Sequence, residues 1–272
     1  MKKIIALLLS LAMLLVFAGC GAKDTQSDSS AIDTAAKSDL EYVKEKGKLI
    51  VGVTVFEPMD YKDADDNWTG FDADMANAFA KEIGVDAEFQ IIDWDSKHME
   101  LKGKTIDVVW NGMTLTDEVK AVMDCSNPYF NNAQVVIVKK DVADKYKTVD
   151  SVKGLSFAVE NGSAGQAEVE ALGADFTPVG DQATALTEVM SGTADAAVID
   201  FLMAISMIGE GTSYEDLTYT VSLNEEKYGV GFRQGSDLVE ELNKFFKKTY
   251  TDGTMKTAAE KYGIEEYLVE QK

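Results

Sequence analysis

Arginine is almost absent from this chain. Its 272 residues include a single arginine, Arg233, a single histidine, His98, and two cysteines, Cys20 and Cys125. So few thiols and imidazoles argue against a structural zinc site and against a Cys-His nucleophile pair. Cys125 is expected as a buried, unreactive thiol. Positive charge is also scarce: 26 Lys and Arg stand against 47 Asp and Glu, for a formal charge of −21. No basic stripe interrupts that surface, so nucleic acid is not expected as a partner. The acidity itself reads as a solubility device and says nothing about substrate charge. Long apolar runs are limited to one, at the amino end.

That run, Ile4 to Phe17, follows Met1-Lys2-Lys3 and precedes Ala18-Gly19-Cys20. A positive start, a short apolar stretch and small residues before a cysteine read as a lipoprotein signal, residues 1–19, cleaved to leave Cys20 lipidated. The run is too short to span a bilayer as a plain anchor. Residues 20–39 are rich in Ser, Ala, Asp, Lys and Thr with one isolated Ile. They read as a flexible tether. The expectation is a globule anchored through its N-terminal lipid at the outer face of a bacterial cytoplasmic membrane.

The remaining length and its 46% apolar content suffice for two modest domains. From Leu40 onward short apolar strands alternate with helical patterns. Lys48 to Val53 is a strand. Asp72 is placed to cap a helix carrying Met75, Phe79 and Ile83 and stopped by Gly84. Ala87, Phe89 and Ile91 alternate as a second strand, and Ile106 to Trp110 is a third. A similar alternation follows from Leu155 to Leu223, and two amphipathic helices close the chain. Strand, helix, strand, repeated, predicts α/β lobes with mostly parallel sheets flanked by helices. Polar loops fall after the strands at Phe56-Glu57, Asp93-Trp94, Asn111-Gly112-Met113-Thr114, Asn161 to Gly165, and Asp200. If the sheets face each other, these loops line one small-molecule cleft. Trp110, inside its strand, is expected in the core.

These residues also carry a family pattern. Phe56-Glu57-Pro58, Gly70-Phe71-Asp72, Gly112-Met113-Thr114-Leu115-Thr116, Asp124-Cys125-Ser126-Asn127-Pro128-Tyr129 and Asp195 to Asp200 occur in this order, with Gly162-Ser163, Tyr228 to Arg233 and Asp252-Gly253-Thr254 in their places. The ordered set resembles the extracellular solute-binding proteins, family 3, of polar amino-acid ABC importers. The resemblance implies a two-lobe periplasmic-binding-protein-like fold. It implies a first lobe of residues 40–134 plus 230–272, a second of 135–229, and a two-stranded hinge near Gln134 to Val138 and Tyr228 to Phe232. It further implies a monomer that binds a small polar ligand and delivers it to an ABC transporter permease, with no cofactor, metal or catalytic residue.

By the same resemblance Phe56 and Trp94 sandwich the ligand and Asp200 takes its ammonium. Asp200 also stands where it would cap the helix starting at Phe201. Ser163, with the N–H groups around Gly162, suits a carboxylate and equally suits an ordinary N-cap. Asn111, Gly112, Met113 and Thr114 form the opposite wall, and Glu57 is a further candidate for a cation. The chain departs from the pattern at Asp117-Glu118-Val119-Lys120, where the family carries an arginine that clamps the ligand's α-carboxylate. Val119 cannot pair with an anion. Backbone donors with Ser163, or Lys97 or Lys120, would have to replace the clamp, or the ligand lacks an α-carboxylate. Both lysines are expected at the exposed surface. An amino acid or a related amine-bearing metabolite is the expected ligand. A cyclohexadienyl-dehydratase-like enzyme, with Glu160 or Glu57 as its general acid, and a ligand-sensing subunit are the alternatives on the same fold.

Overall fold

A computed structural model describes residues 37–272. The signal, Cys20 and most of the tether lie outside the described residues. The first helix begins within the stretch that the composition assigns to the tether. Ser38 caps a helix over Asp39–Lys46 through its hydroxyl, which accepts the Glu41 N–H at 3.2 Å. Those two residues, expected in the tether, are therefore part of the globule.

The first seven strands are Lys48–Val53 (β1), Tyr61–Lys62 (β2), Trp68–Thr69 (β3), Asp86–Ile91 (β4), Val108–Thr114 (β5), Asp124–Cys125 (β6) and Phe130–Asn132 (β7). Gln134–Lys139 (β8), Ser156–Glu160 (β9), Asp175–Val179 (β10), Ala196–Asp200 (β11), Leu217–Ser222 (β12) and Glu226–Phe232 (β13) follow. They form two main sheets, ordered β4-β1-β5-β13-β6 and β10-β9-β11-β8-β12, with β7 also pairing to β13. In each sheet three strands are parallel: β4, β1 and β5 in one, β10, β9 and β11 in the other. The strands that complete each sheet, β13 and β8, run antiparallel to their neighbours.

The chain passes between the sheets twice. It leaves β7 at Asn132 and enters β8 at Gln134, then leaves β12 at Ser222 and enters β13 at Glu226. Residues 226–229, expected with the second lobe, already pair with the first sheet, because Tyr228 lies opposite both Thr114 and Phe130. The two passages are tied together: the Leu223 N–H donates to the Gln134 carbonyl at 2.8 Å, and the Gln134 N–H to Asn224 Oδ1 at 2.7 Å.

Two local expectations change. The polar stretch Asn111 to Thr114 is the end of strand β5 and not a loop. Antiparallel pairing with β13 supplies partners for its backbone groups, with Gly229 opposite Met113. Asp72 does not cap the helix Phe71–Ile83; Gly70 holds that position at φ 119°. A Cβ at Gly70 would lie 2.1 Å from the Met59 carbonyl oxygen, so only glycine fits. Asp72 is buried one step inside the helix, where it accepts the Gly112 N–H and the Tyr129 hydroxyl, each at 2.7 Å. It thereby fixes the helix against the end of β5.

Trp110 is fully buried, with its ring 5.6 Å from Phe246 of the helix Leu238–Thr251 and 6.3 Å from Phe79. Arg233 is a structural hub. Its guanidinium donates to Asp39 at 2.8 Å and to the Ile106 carbonyl at 2.8 Å, and lies 3.4 Å from Asp107. Asp107 is inaccessible to solvent and also pairs with Lys46. Planar, many-donor geometry of this kind is what a guanidinium provides and an ammonium does not. No helix among the described residues is long and apolar enough to cross a membrane.

Candidate functional site

The carboxyl ends of the parallel strands from both sheets converge on one cleft of about 430 Å³. From the first sheet come Phe56 beyond β1, Trp94 beyond β4, and Asn111, Gly112, Met113 and Thr114 at the end of β5. From the second come Glu160 closing β9, Gly162 and Ser163 ahead of the helix Ala164–Leu172, and Asp200 closing β11. Val119 is also on the wall. Nine of the ten residues singled out from sequence for ligand contact, all except Glu57, therefore border one space. Glu57 is not among the lining residues; it precedes Pro58 in a tight loop closed by the pairing of Phe56 with Asp60.

Several of these side chains are already committed within the protein. Asn111 Oδ1 accepts the Thr54 N–H at 3.0 Å and the Thr54 hydroxyl at 2.9 Å. Its Nδ2 donates to the Thr54 carbonyl at 3.0 Å and to Asp60 at 2.8 Å. All four of its hydrogen-bonding sites are filled. The Thr114 hydroxyl donates to Glu226 at 2.8 Å. The Ser163 hydroxyl accepts the Gln166 N–H at 3.1 Å, so the N-cap reading holds. These residues shape the cleft more than they offer it polar atoms.

Asp200 is 4% exposed and makes no capping bond to its helix. Its Oδ1 accepts the amides of Asn132 and Gln134 and the Tyr228 hydroxyl, and its Oδ2 accepts the Gln182 amide. Asn132 and Gln134 also donate to Glu226, at 2.7 and 2.8 Å. The carboxylate is thus tied to both passages between the sheets. Burial raises the Asp200 carboxyl, the Glu226 charge raises it further, and its hydrogen bonds pull it back.

Two residues are more prominent in the cleft than the sequence suggests. Lys97 is buried at 9% exposure and not on the surface as expected. Its ammonium donates to the Trp94 carbonyl and, across the cleft, to the Gly162 carbonyl, both at 3.0 Å, and lies 4.8 Å from the centre of the Trp94 ring. Lys120, the other lysine considered, is exposed and is not among the lining residues. Glu160 is 3% exposed, and its Oε1 has no hydrogen-bond partner. Burial, with the Asp200 charge beside it, pushes its carboxyl up to about 8 despite the Thr54 hydroxyl and the Lys97 charge. Burial also brings Lys97 down to about 8, against the pull of Glu160 and Asp95. The lobes already touch here: a Cβ on Gly162 would lie 2.7 Å from Asp95 Cα.

These shifts set a pH dependence. The folded protein keeps the Glu160 proton up to about 8, whereas the unfolded chain loses it near 4.5. The folded state binds more protons over that interval, so its stability falls as pH rises through it. Asp60, Asp72 and Asp200, raised chiefly by burial, act in the same direction. Lys97, lowered from 10.5 to about 8, reverses the trend above that point. The melting temperature of the ligand-free protein is expected to decline between pH 5 and 8, measured by scanning fluorimetry. Glu160→Gln should flatten the decline; an unchanged slope would remove Glu160 as its source.

The comparisons agree with this geometry. The family model for bacterial extracellular solute-binding proteins, family 3, matches residues 49–265. The chain is similar to the L-cystine-binding protein TcyJ of Escherichia coli (strain K12), 31% identical over 82% of this chain and 85% of that protein. Among solved structures it is similar to a mutant of ArgBP from T. maritima, with a TM-score of 0.77 and 32% identity over 82% of this chain and 98% of that one. It is equally similar to the ancestral amino acid-binding protein AncCDT-1, a precursor of cyclohexadienyl dehydratase, with a TM-score of 0.77 and 32% identity over 83% of this chain and 99% of that one. With its two sheets, its twice-crossed connection and its cleft at the strand ends, the chain belongs to family 3 of the bacterial extracellular solute-binding proteins.

Proposed function

We propose that this protein is a lipid-anchored receptor, held through Cys20 at the outer face of the cytoplasmic membrane, that captures a small amine-bearing polar solute. It hands the solute to an ABC importer permease, acts as a monomer and performs no chemistry on its cargo. The observation that carries the reading is Asp200, a buried carboxylate at a strand end inside a cleft. A charge-assisted bond from a ligand ammonium suits that position. The aromatic and apolar wall of Phe56, Trp94 and Met113 would hold the ligand's carbon skeleton, with Gly112 leaving room for the Phe56 ring to pack against β5. Val119 extends that wall. The similarity to TcyJ and ArgBP supports an amino acid or a related amine as the class.

In this reading the ends of the chain build one lobe and the middle builds the other, and the passages at 132–134 and 222–226 serve as the hinge. Ligand binding selects the closed arrangement. Calorimetry and thermal-shift screening of polar metabolites, followed by small-angle scattering of the hits, test it. A ligand that binds and compacts the protein is expected; a broad panel with no such ligand would defeat the receptor reading.

A second reading, an enzyme on the same fold, draws on Glu160. A carboxyl pushed up to about 8 keeps its proton at neutral pH, as a general acid must. AncCDT-1, itself an amino acid-binding protein, is a precursor of an enzyme, which supplies the reaction to test. Product formation from prephenate or arogenate would put this reading first.

A further inference from the structure

The charges around the cleft are lopsided. Glu160 and Asp200 are buried in it, and Asp95, Glu118 and Glu170 stand at its rim. Against these five carboxyl groups the lining holds one lysine, Lys97, and the exposed His98. Lys97 is not available as an anion clamp in the usual sense, because two of its three protons go to the carbonyls of Trp94 and Gly162. The N-terminus of the helix Ala164–Leu172 is partly satisfied as well. The Gly162 N–H donates to Gln166 Oε1 at 2.9 Å, and the Gln166 N–H to Ser163. Glu160 stands three residues before the Ser163 N-cap with an unpartnered oxygen, so the approach to that N-terminus holds a carboxyl group and not a cation. Facing these acids, Val119 packs with the cluster of Trp94, Met113 and Met123 and leaves an apolar surface.

We propose that the cleft selects amines that carry no carboxylate, with the ammonium held between Glu160 and Asp200 and the carbon chain lying on the Trp94–Met113–Val119 wall. An α-carboxylate buried in this site would lose its water and gain no dedicated cationic partner, an uncompensated charge of the kind proteins reject strongly. The buried, unpartnered Glu160 oxygen on the cleft lining is free to accept a hydrogen bond from an ammonium. Selectivity then comes from what the site refuses as much as from what it holds. The inference rests on the receptor reading above and specifies its ligand.

Matched pairs that differ by the carboxylate test it: agmatine against L-arginine, putrescine against L-ornithine, and histamine against L-histidine, each titrated calorimetrically at pH 7. In the pair that binds, the amine is expected to be tighter than its parent amino acid by at least about tenfold. Val119→Arg should reverse the order, tightening the amino acid and weakening the amine, while its melting temperature reports that the fold is kept. Glu160→Gln should weaken the amine. A wild-type preference for the amino acid, or a Val119→Arg variant with unaltered order, overturns the inference and leaves the receptor reading standing. No binding by any pair or by the wider metabolite panel overturns both.

Discussion

Replacing Asp200 by asparagine should lower ligand affinity by about 100-fold or more while leaving a folded protein. The carboxylate is buried and accepts four side-chain hydrogen bonds, from Asn132, Gln134, Tyr228 and Gln182. An amide keeps one acceptor oxygen but turns an NH₂ group toward a neighbouring donor, so at least one of those contacts is lost. More importantly, it removes the negative charge that a ligand ammonium would meet. Removing one member of a buried, hydrogen-bonded charge pair costs about 2–5 kcal/mol of binding. Asp200→Ala should act on the fold as well. Four buried donors lose their acceptor, and a loss of roughly 3 kcal/mol of stability is expected, read from urea unfolding. Asparagine with undiminished affinity would show that the ligand's charge is met elsewhere, with Glu160 the next candidate.

The second large effect is expected at Gly162, which has no side chain of its own. Its φ is +71°, and an added Cβ would lie 2.7 Å from Asp95 Cα and 2.9 Å from Asp95 Oδ1. The left-handed backbone alone makes alanine unfavourable by about 1–2 kcal/mol. The contact adds a different cost, because Asp95 follows β4 of the first sheet while Gly162 follows β9 of the second. Each lobe can keep its own packing if the two stay slightly apart. Gly162→Ala, and more strongly Gly162→Val, should therefore prop the cleft open. Affinity should fall by about tenfold to 100-fold, and scattering should show no compaction on adding ligand. A variant that closes normally would mean that the Asp95 loop yields.

Much of the fold was legible in the chain because its signals are local. The spacing of Met75, Phe79 and Ile83 marks a helix, and Gly84, Gly173 and Gly192 end their helices in the left-handed conformation. Polar or aromatic residues at strand ends point to the cleft. What was illegible depends on partners far along the chain. Asn111 reads locally as a ligand contact, yet its partners are Thr54 and Asp60, 57 and 51 residues away. Lys97 sits in a short polar segment like any surface lysine, but its bond to Gly162 spans 65 residues. The end of β5 looked like a loop because the strand that completes it, β13, arrives more than a hundred residues later. Glu160 was visible only as a possible acid; its burial comes from two lobes meeting.

The hydrogen bonds that link Asp200 to Asn132, Gln134 and Tyr228 have a mechanical meaning. Those partners lie on the strands where the chain crosses between sheets, so Asp200 sits at the fulcrum. A force applied there has almost no lever arm and turns the lobes very little. Lys97 and Gly162 meet beyond β4 and β9, strands set apart from the crossing strands β13 and β8, where a given rotation gives a larger displacement. With the ammonium on Asp200 as proposed, charge recognition and clamping would act at opposite ends of the lever. Ligands of different length would then share one anchor and differ in how tightly they draw the Lys97 and Gly162 sides together.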